Sequence, residues 1–138
     1  MILYLYKMVG IYVEVSSEEQ FDFYTKNSMV CVVDFYTTWC GPCKKLAPML
    51  SQKIAETEKY CSVLFDAHTN TEHLSKSDLY DKLVFLKVDV EKNAELCERF
   101  SVSSIPYLVF FKHGKQHEKT VAGLDMDKTM FVLDECLS

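Results

Sequence analysis

A chain of 138 residues with 15 basic and 20 acidic side chains carries a net charge of −5, and its 49% apolar and 25% charged content is ordinary for one globular domain. At this length folding buries roughly two-thirds of the surface the unfolded chain exposes, so neither a disulfide nor a metal is needed to hold a core together. The acidic balance, without any Lys/Arg cluster, argues against a surface that neutralises phosphates, and nucleic acid is not an expected partner.

Ile11 to Val15 is a short β-branched run, and Ser16 and Glu19 have capping-box spacing before an amphipathic stretch to about Asn27, so strand and then helix are predicted. Met29 to Tyr36 is apolar in the manner of a strand covered on both faces, except at Asp34. After Trp39-Cys40-Gly41-Pro42-Cys43, the residues Leu46, Leu50 and Ile54 recur at helical spacing, in a helix expected to run to about Tyr60 with a kink at Pro48. Cys61 to Lys82 is polar and irregular, with Leu79 and Tyr80 as its candidates for packing. Leu83 to Val90 reads as a second buried strand, Glu91 to Phe100 as a short helix, and Tyr107 to Lys112 as a third strand ending in a His113-Gly114 turn. Gln116 to Val121 fits an edge strand, and Asp125 caps a last helix with Met126, Met130, Leu133 and Leu137 on one face. This order implies an α/β architecture: a mixed sheet of four to five strands with helices on both faces, in one domain spanning 1–138.

The six cysteines, at positions 31, 40, 43, 61, 97 and 136, are too sparse for a secreted disulfide scaffold, and several lie in apolar segments. A reducing, cytoplasmic setting is expected, with the others acting as packing thiols. Met1 to Val9 is apolar but is broken at Lys7 and is too short to span a bilayer, so no membrane anchor is expected, and this segment reads as an N-terminal extension.

Cys40 and Cys43 stand directly after a strand and at the first turn of a helix, a spacing that brings both sulfurs within disulfide reach. Unpaired N–H groups and the positive end of the helix dipole favour a thiolate at Cys40, which marks it as the nucleophile. Pro42 suits the opening helical turn, Gly41 leaves room for another chain to approach Cys40, and Cys43 is placed to resolve.

With WCGPCK after VVDFYTT, Ile105-Pro106 ahead of YLVFF, and Gly123 before the last helix, the chain resembles the thioredoxin family over about residues 11 to 138. The resemblance implies the thioredoxin fold and protein-disulfide reduction by dithiol exchange through Cys40 and Cys43. It also matches Asp34 to the buried carboxylate that exchanges a proton with the resolving cysteine, and Lys87 to the lysine beside that carboxylate. Trp39, Ile105, Pro106 and Gly123 match the surface that grips an extended substrate segment, with Pro106 matching a cis proline. No tightly bound cofactor is implied. The external reductant would be NADPH through a flavin-dependent thioredoxin reductase, or the glutathione system, and the chain would be a monomer or weak dimer.

The sequence departs from the family at Tyr36, where many members carry a second tryptophan, and at Tyr107, where a threonine is usual, so a bulkier groove is expected. The stretch from Cys40 to Val90 also exceeds the family's by roughly twenty residues, assigned to an insertion at 61–82 that is expected to lie away from the sulfurs. Three other readings of these residues differ in what they predict. A thioredoxin-fold binding or scaffold module would keep its partner without the cysteines; an oxidase or isomerase is disfavoured by Gly41-Pro42; and zinc held by Cys40, Cys43, His68 and His73 is disfavoured by the length between the pairs.

Overall fold

The computed structural model describes residues 10–55 and 74–138. The expectations for 1–9, for the helix beyond Ala55, and for Cys61, His68 and His73 fall outside them.

The described elements run β1 (Gly10–Glu14), α1 (Glu18–Asn27), β2 (Val30–Tyr36), α2 (Gly41–Ala55), α3 (Lys76–Leu79), β3 (Leu83–Asp89), α4 (Ala94–Arg99), β4 (Tyr107–Lys112), β5 (Lys115–Gln116), β6 (Val121–Ala122) and α5 (Met126–Leu137). The sheet has the order β1-β3-β2-β4-β5, with β6 also on β4. β1, β3 and β2 are parallel and β4 is antiparallel to β2, the mixed sheet expected, with six strands where the sequence predicts four to five. The extra strand arises because the expected edge strand is split. Only 115–116 and 121–122 join the ladder, and between them the Lys119 N–H is taken by His117 Nδ1 at 3.0 Å and not by a neighbouring strand.

Side-chain alternation sorts the core into two layers. On one sheet face Tyr12, Val32, Phe85 and Leu108 pack against Leu46 and Leu50 of α2 and Val132 and Leu133 of α5. On the other, Val13, Val33, Phe35, Leu86 and Val109 pack against Phe21 of α1, Leu79 of α3 and Leu96 of α4. The central strands are buried on both faces, as their nearly continuous apolar runs require.

Two helix starts differ from expectation for local reasons. Ser17, not Ser16, caps α1: its backbone is extended and its hydroxyl accepts from the Gln20 N–H at 3.1 Å, while the Gln20 side chain reaches back to Ser16 N. Before α4, the Asp89 carboxylate accepts from Glu91 N at 3.0 Å and its carbonyl from Lys92 N at 3.1 Å and Asn93 Nδ2 at 2.9 Å, so a turn occupies the first residues assigned to that helix. The His113-Gly114 turn is as predicted, with φ of 46° and 82°.

α3 folds the end of the polar segment onto the body. Ser75 and Asp78 form a capping box, and Leu79 is fully buried, whereas Tyr80 is 67% exposed, with its ring 5.3 Å from that of His113. The segment re-enters the sheet where Val30 pairs with Leu83 and Lys112, a strand's length of roughly 20 Å from the end at Tyr36 that leads to the cysteines. Truncating Leu79 to Ala is expected to cost about 3 kcal/mol, read as a lower denaturant midpoint with an unchanged slope.

Candidate active site

β2 delivers Tyr36 and Thr37 to a short connection, and α2 begins at Gly41, directly after Cys40. Cys40 therefore occupies the N-cap position. Its sulfur accepts from the Cys43 N–H at 3.2 Å, the bond that a Ser or Asp side chain ordinarily makes there. No acidic residue lies in the first turn of α2 to oppose negative charge on that sulfur. Cys40 and Cys43 are disulfide-bonded, with Cα atoms 5.2 Å apart, and both are nearly buried, at 7% and 4% exposure.

Ile105 packs on the two cysteines and Tyr36. The Ile105-Pro106 bond is cis, and the Pro106 carbonyl accepts from the Gly123 N–H at 2.8 Å, which ties the proline loop to the start of the last helical connection. Gly123 has φ of +81°, a conformation that a side chain would strain. Trp39 projects at 70% exposure with its indole N–H donated to Glu91. Tyr107 does not widen or fill this groove: its ring turns toward the opposite sheet face and lies 6.2 Å from that of Phe35. The expectation of a bulkier groove through Tyr107 is therefore corrected. The residue's register opposite Phe35, and not its size, decides where the ring goes.

Asp34 continues the row Val30, Val32 on the face beneath α2, so alternation places a carboxyl where the sheet would otherwise be apolar. A cavity of about 10 Å³, close to the space of one water, is lined by Asp34 with Leu46, Ala47 and Leu50 of α2 and Leu108 of β4. Leu46 and Ala47 follow Cys43 by three and four positions, so the carboxyl lies under the same helix face one turn on. Asp34 Oδ1 is buried without a hydrogen-bond partner. Burial pushes this carboxyl up to about 7, the Lys87 ammonium opposing and Glu14 reinforcing the rise.

The Lys87 ammonium rests 4.1 Å from the centroid of the Tyr36 ring, and the Tyr36 hydroxyl donates to Glu14 Oε1. Glu14 and Glu91 are absent from the residues singled out in the sequence. Glu14 had a legible signal, a carboxylate within a buried strand like Asp34, whereas Glu91 is brought to Trp39 only by the β3 turn. Cys31 and Cys136 are buried free thiols, desolvation pushing the first far above the ordinary range and the second to about 11; Cys97 is raised by the same cause. Among the described residues no group of three or more His, Cys, Asp or Glu is placed to hold a metal ion.

A mixed sheet that presents a helix-capping cysteine, its partner three residues on and a facing cis proline defines a thiol-disulfide oxidoreductase. The thioredoxin family model matches residues 12–134. A thioredoxin of Malassezia sympodialis is 32% identical over 114 residues, covering 83% of this chain and 88% of that protein. A thioredoxin of Staphylococcus aureus is 35% identical over 117 residues, covering 84% and 91%. The solved Malassezia structure superposes with a TM-score of 0.66 at 30% identity, over 93% of this chain and 95% of that one. The chain belongs to the thioredoxin family, and its chemistry is dithiol/disulfide exchange through Cys40 and Cys43. The scaffold alternative is not favoured by these matches.

Proposed function

We propose that this protein reduces disulfides of other proteins in a reducing, cytoplasmic compartment, as a single domain spanning 1–138 in which 1–9 is an extension and 61–82 an insertion that alters partner choice or oligomerisation. The observation that carries the reading is the Cys40 sulfur at the α2 N-terminus, packed against the cis Ile105-Pro106 loop. Free thiols at Cys31, Cys97 and Cys136 suit such a compartment.

The reduced Cys40 thiolate attacks one sulfur of the substrate disulfide. A mixed disulfide forms and one substrate thiolate leaves, to be protonated by solvent. Asp34, ionised, takes the proton of Cys43 through a water in the small cavity, and the Cys43 thiolate then attacks Cys40 Sγ. The second substrate thiolate departs, two electrons have passed to the substrate, and the Cys40-Cys43 disulfide seen here is regenerated. Lys87 moderates the cost of ionising Asp34. Trp39, Gly41, Pro42, Ile105, Pro106 and Gly123 form the surface along which an extended substrate segment lies, Gly41 offering open space above the first turn. The family's reductant, thioredoxin reductase with NADPH, would return the pair to dithiols, the glutathione system being the substitute; no other cofactor, membrane or nucleic acid takes part, and the chain acts as a monomer or weak dimer.

The test is a trap. Cys43→Ser is expected to hold substrate proteins as mixed disulfides on Cys40, releasable by dithiothreitol, while wild type holds none. Bound proteins that persist when Cys40 is also changed to Ser would identify a non-covalent adaptor instead.

A further inference from the structure

The face around Asp34 carries a row of charge that the exchange mechanism does not use in full. Parallel register places Glu14 of β1 beside Lys87 of β3, and Lys87 beside Asp34 of β2, so the three side chains share one face with the ammonium in the middle. Tyr36, two residues beyond Asp34 and on the same face, closes the row from above: its ring covers the Lys87 ammonium and its hydroxyl is bonded to Glu14 Oε1. Glu14 Oε2 is buried with no hydrogen-bond partner, the counterpart of Asp34 Oδ1 at the other end of the row. One cation thus stands between two carboxylates that water does not fully solvate.

We propose that Glu14, held by the Tyr36 hydroxyl, is a positioning residue that competes with Asp34 for the Lys87 ammonium and so sets the pH range over which Asp34 accepts the proton of Cys43. The inference rests on the reading of Asp34 as the base that serves Cys43. With Glu14 ionised, much of the field of Lys87 is spent on a second anion, and Asp34 stays protonated to higher pH. With Glu14 neutral, the ammonium acts on Asp34 alone, and the carboxyl ionises earlier. The remaining ionisable groups do not displace this assignment. On the sheet they are Tyr12 of β1 and Tyr36 itself, whose hydroxyl burial and the Glu14 bond keep protonated as a donor; Asp89, at the end of β3, bears on Tyr36. From α2, Leu46, Ala47 and Leu50 face Asp34, and from β4 Leu108, all uncharged. Cys43 is the thiol to be served.

Glu14→Gln keeps an acceptor for Tyr36 and removes the charge. One strand, β3, separates Glu14 from Asp34, two inter-strand spacings or roughly 10 Å, so losing that charge is expected to lower the Asp34 titration by about one pH unit. The titration is read from the Asp34 carboxyl carbon by NMR, and the acid limb of the pH–rate profile for disulfide reduction should move by the same amount. Tyr36→Phe, which frees Glu14 and keeps the ring over Lys87, should move both in the same direction by less, and it serves as the second variant if Glu14→Gln does not fold. An unmoved Asp34 titration in both folded variants overturns the role of Glu14 while leaving Asp34 as base. A profile unchanged by Asp34→Asn overturns the base reading itself, and this inference with it.

Discussion

The Cys40→Ser protein is expected to reduce a protein disulfide such as that of insulin at least about a thousandfold more slowly than wild type, since removing a nucleophile removes the covalent route itself. Its folding should be little changed when compared with the reduced wild type, because a serine at the helix N-cap can accept from the Cys43 N–H as the sulfur does. The loss should be the same at every pH, whereas replacements around Asp34 should alter the pH profile. Alkylation supplies the complementary measurement. In reduced protein near neutral pH, an iodoacetamide-type probe should label Cys40 well before the buried Cys31 and Cys136, whose desolvated thiols resist ionisation. Turnover that survives in Cys40→Ser would refute exchange through this pair.

Asp34→Asn should stabilise the oxidised protein at pH 8 by about 2–4 kcal/mol while slowing substrate release tenfold or more near neutrality. The sign follows from the shift. Asp34 titrates at about 7 in the fold against 3.8 as an ordinary carboxyl, so between those values the folded chain holds a proton that the unfolded chain has lost. Stability therefore declines as pH rises through this window, and the full cost of an ionised buried carboxylate is felt above it. The asparagine variant escapes that cost. Urea unfolding should show a large gap between the two proteins at pH 8 that closes toward pH 4, both compared in the disulfide form. A gap independent of pH would mean that the carboxyl is not held protonated by burial, and the proton-transfer step through it would lose its support.

Both expectations share one cause, a site that exchanges stability for reactivity. Strands β1, β3 and β4 and helix α2 line the small cavity beside this position, where an apolar residue would pack without penalty, and the chain places a carboxyl there. A destabilising residue in the centre of the sheet is the expected mark of a proton carrier whose affinity must match neutral pH.

Much of this was legible in one dimension. Cys40 and Cys43 follow an apolar strand and open a helix, and Asp34 interrupts the same strand, all of which needs only local periodicity to read. The cis bond at Pro106 was accessible only through family resemblance, because an X-Pro sequence by itself favours trans. What escaped was lateral. Glu14 is far in sequence from Lys87 and Asp34, and the three meet because β3 pairs with both β1 and β2 in parallel register. The turn of Tyr107 away from the groove and the contact of Trp39 with Glu91 are of the same kind.

The sequence by itself determined the cysteine pair at the strand-helix junction, the carboxyl in the apolar strand and the α/β plan with helices on both faces of the sheet, since each depends on residue type and on spacing along the chain. Tertiary structure alone decided which charges share the field of Lys87 and which side chains border the cysteines. Those are set by strand order and register, through hydrogen bonds between segments that no local pattern relates.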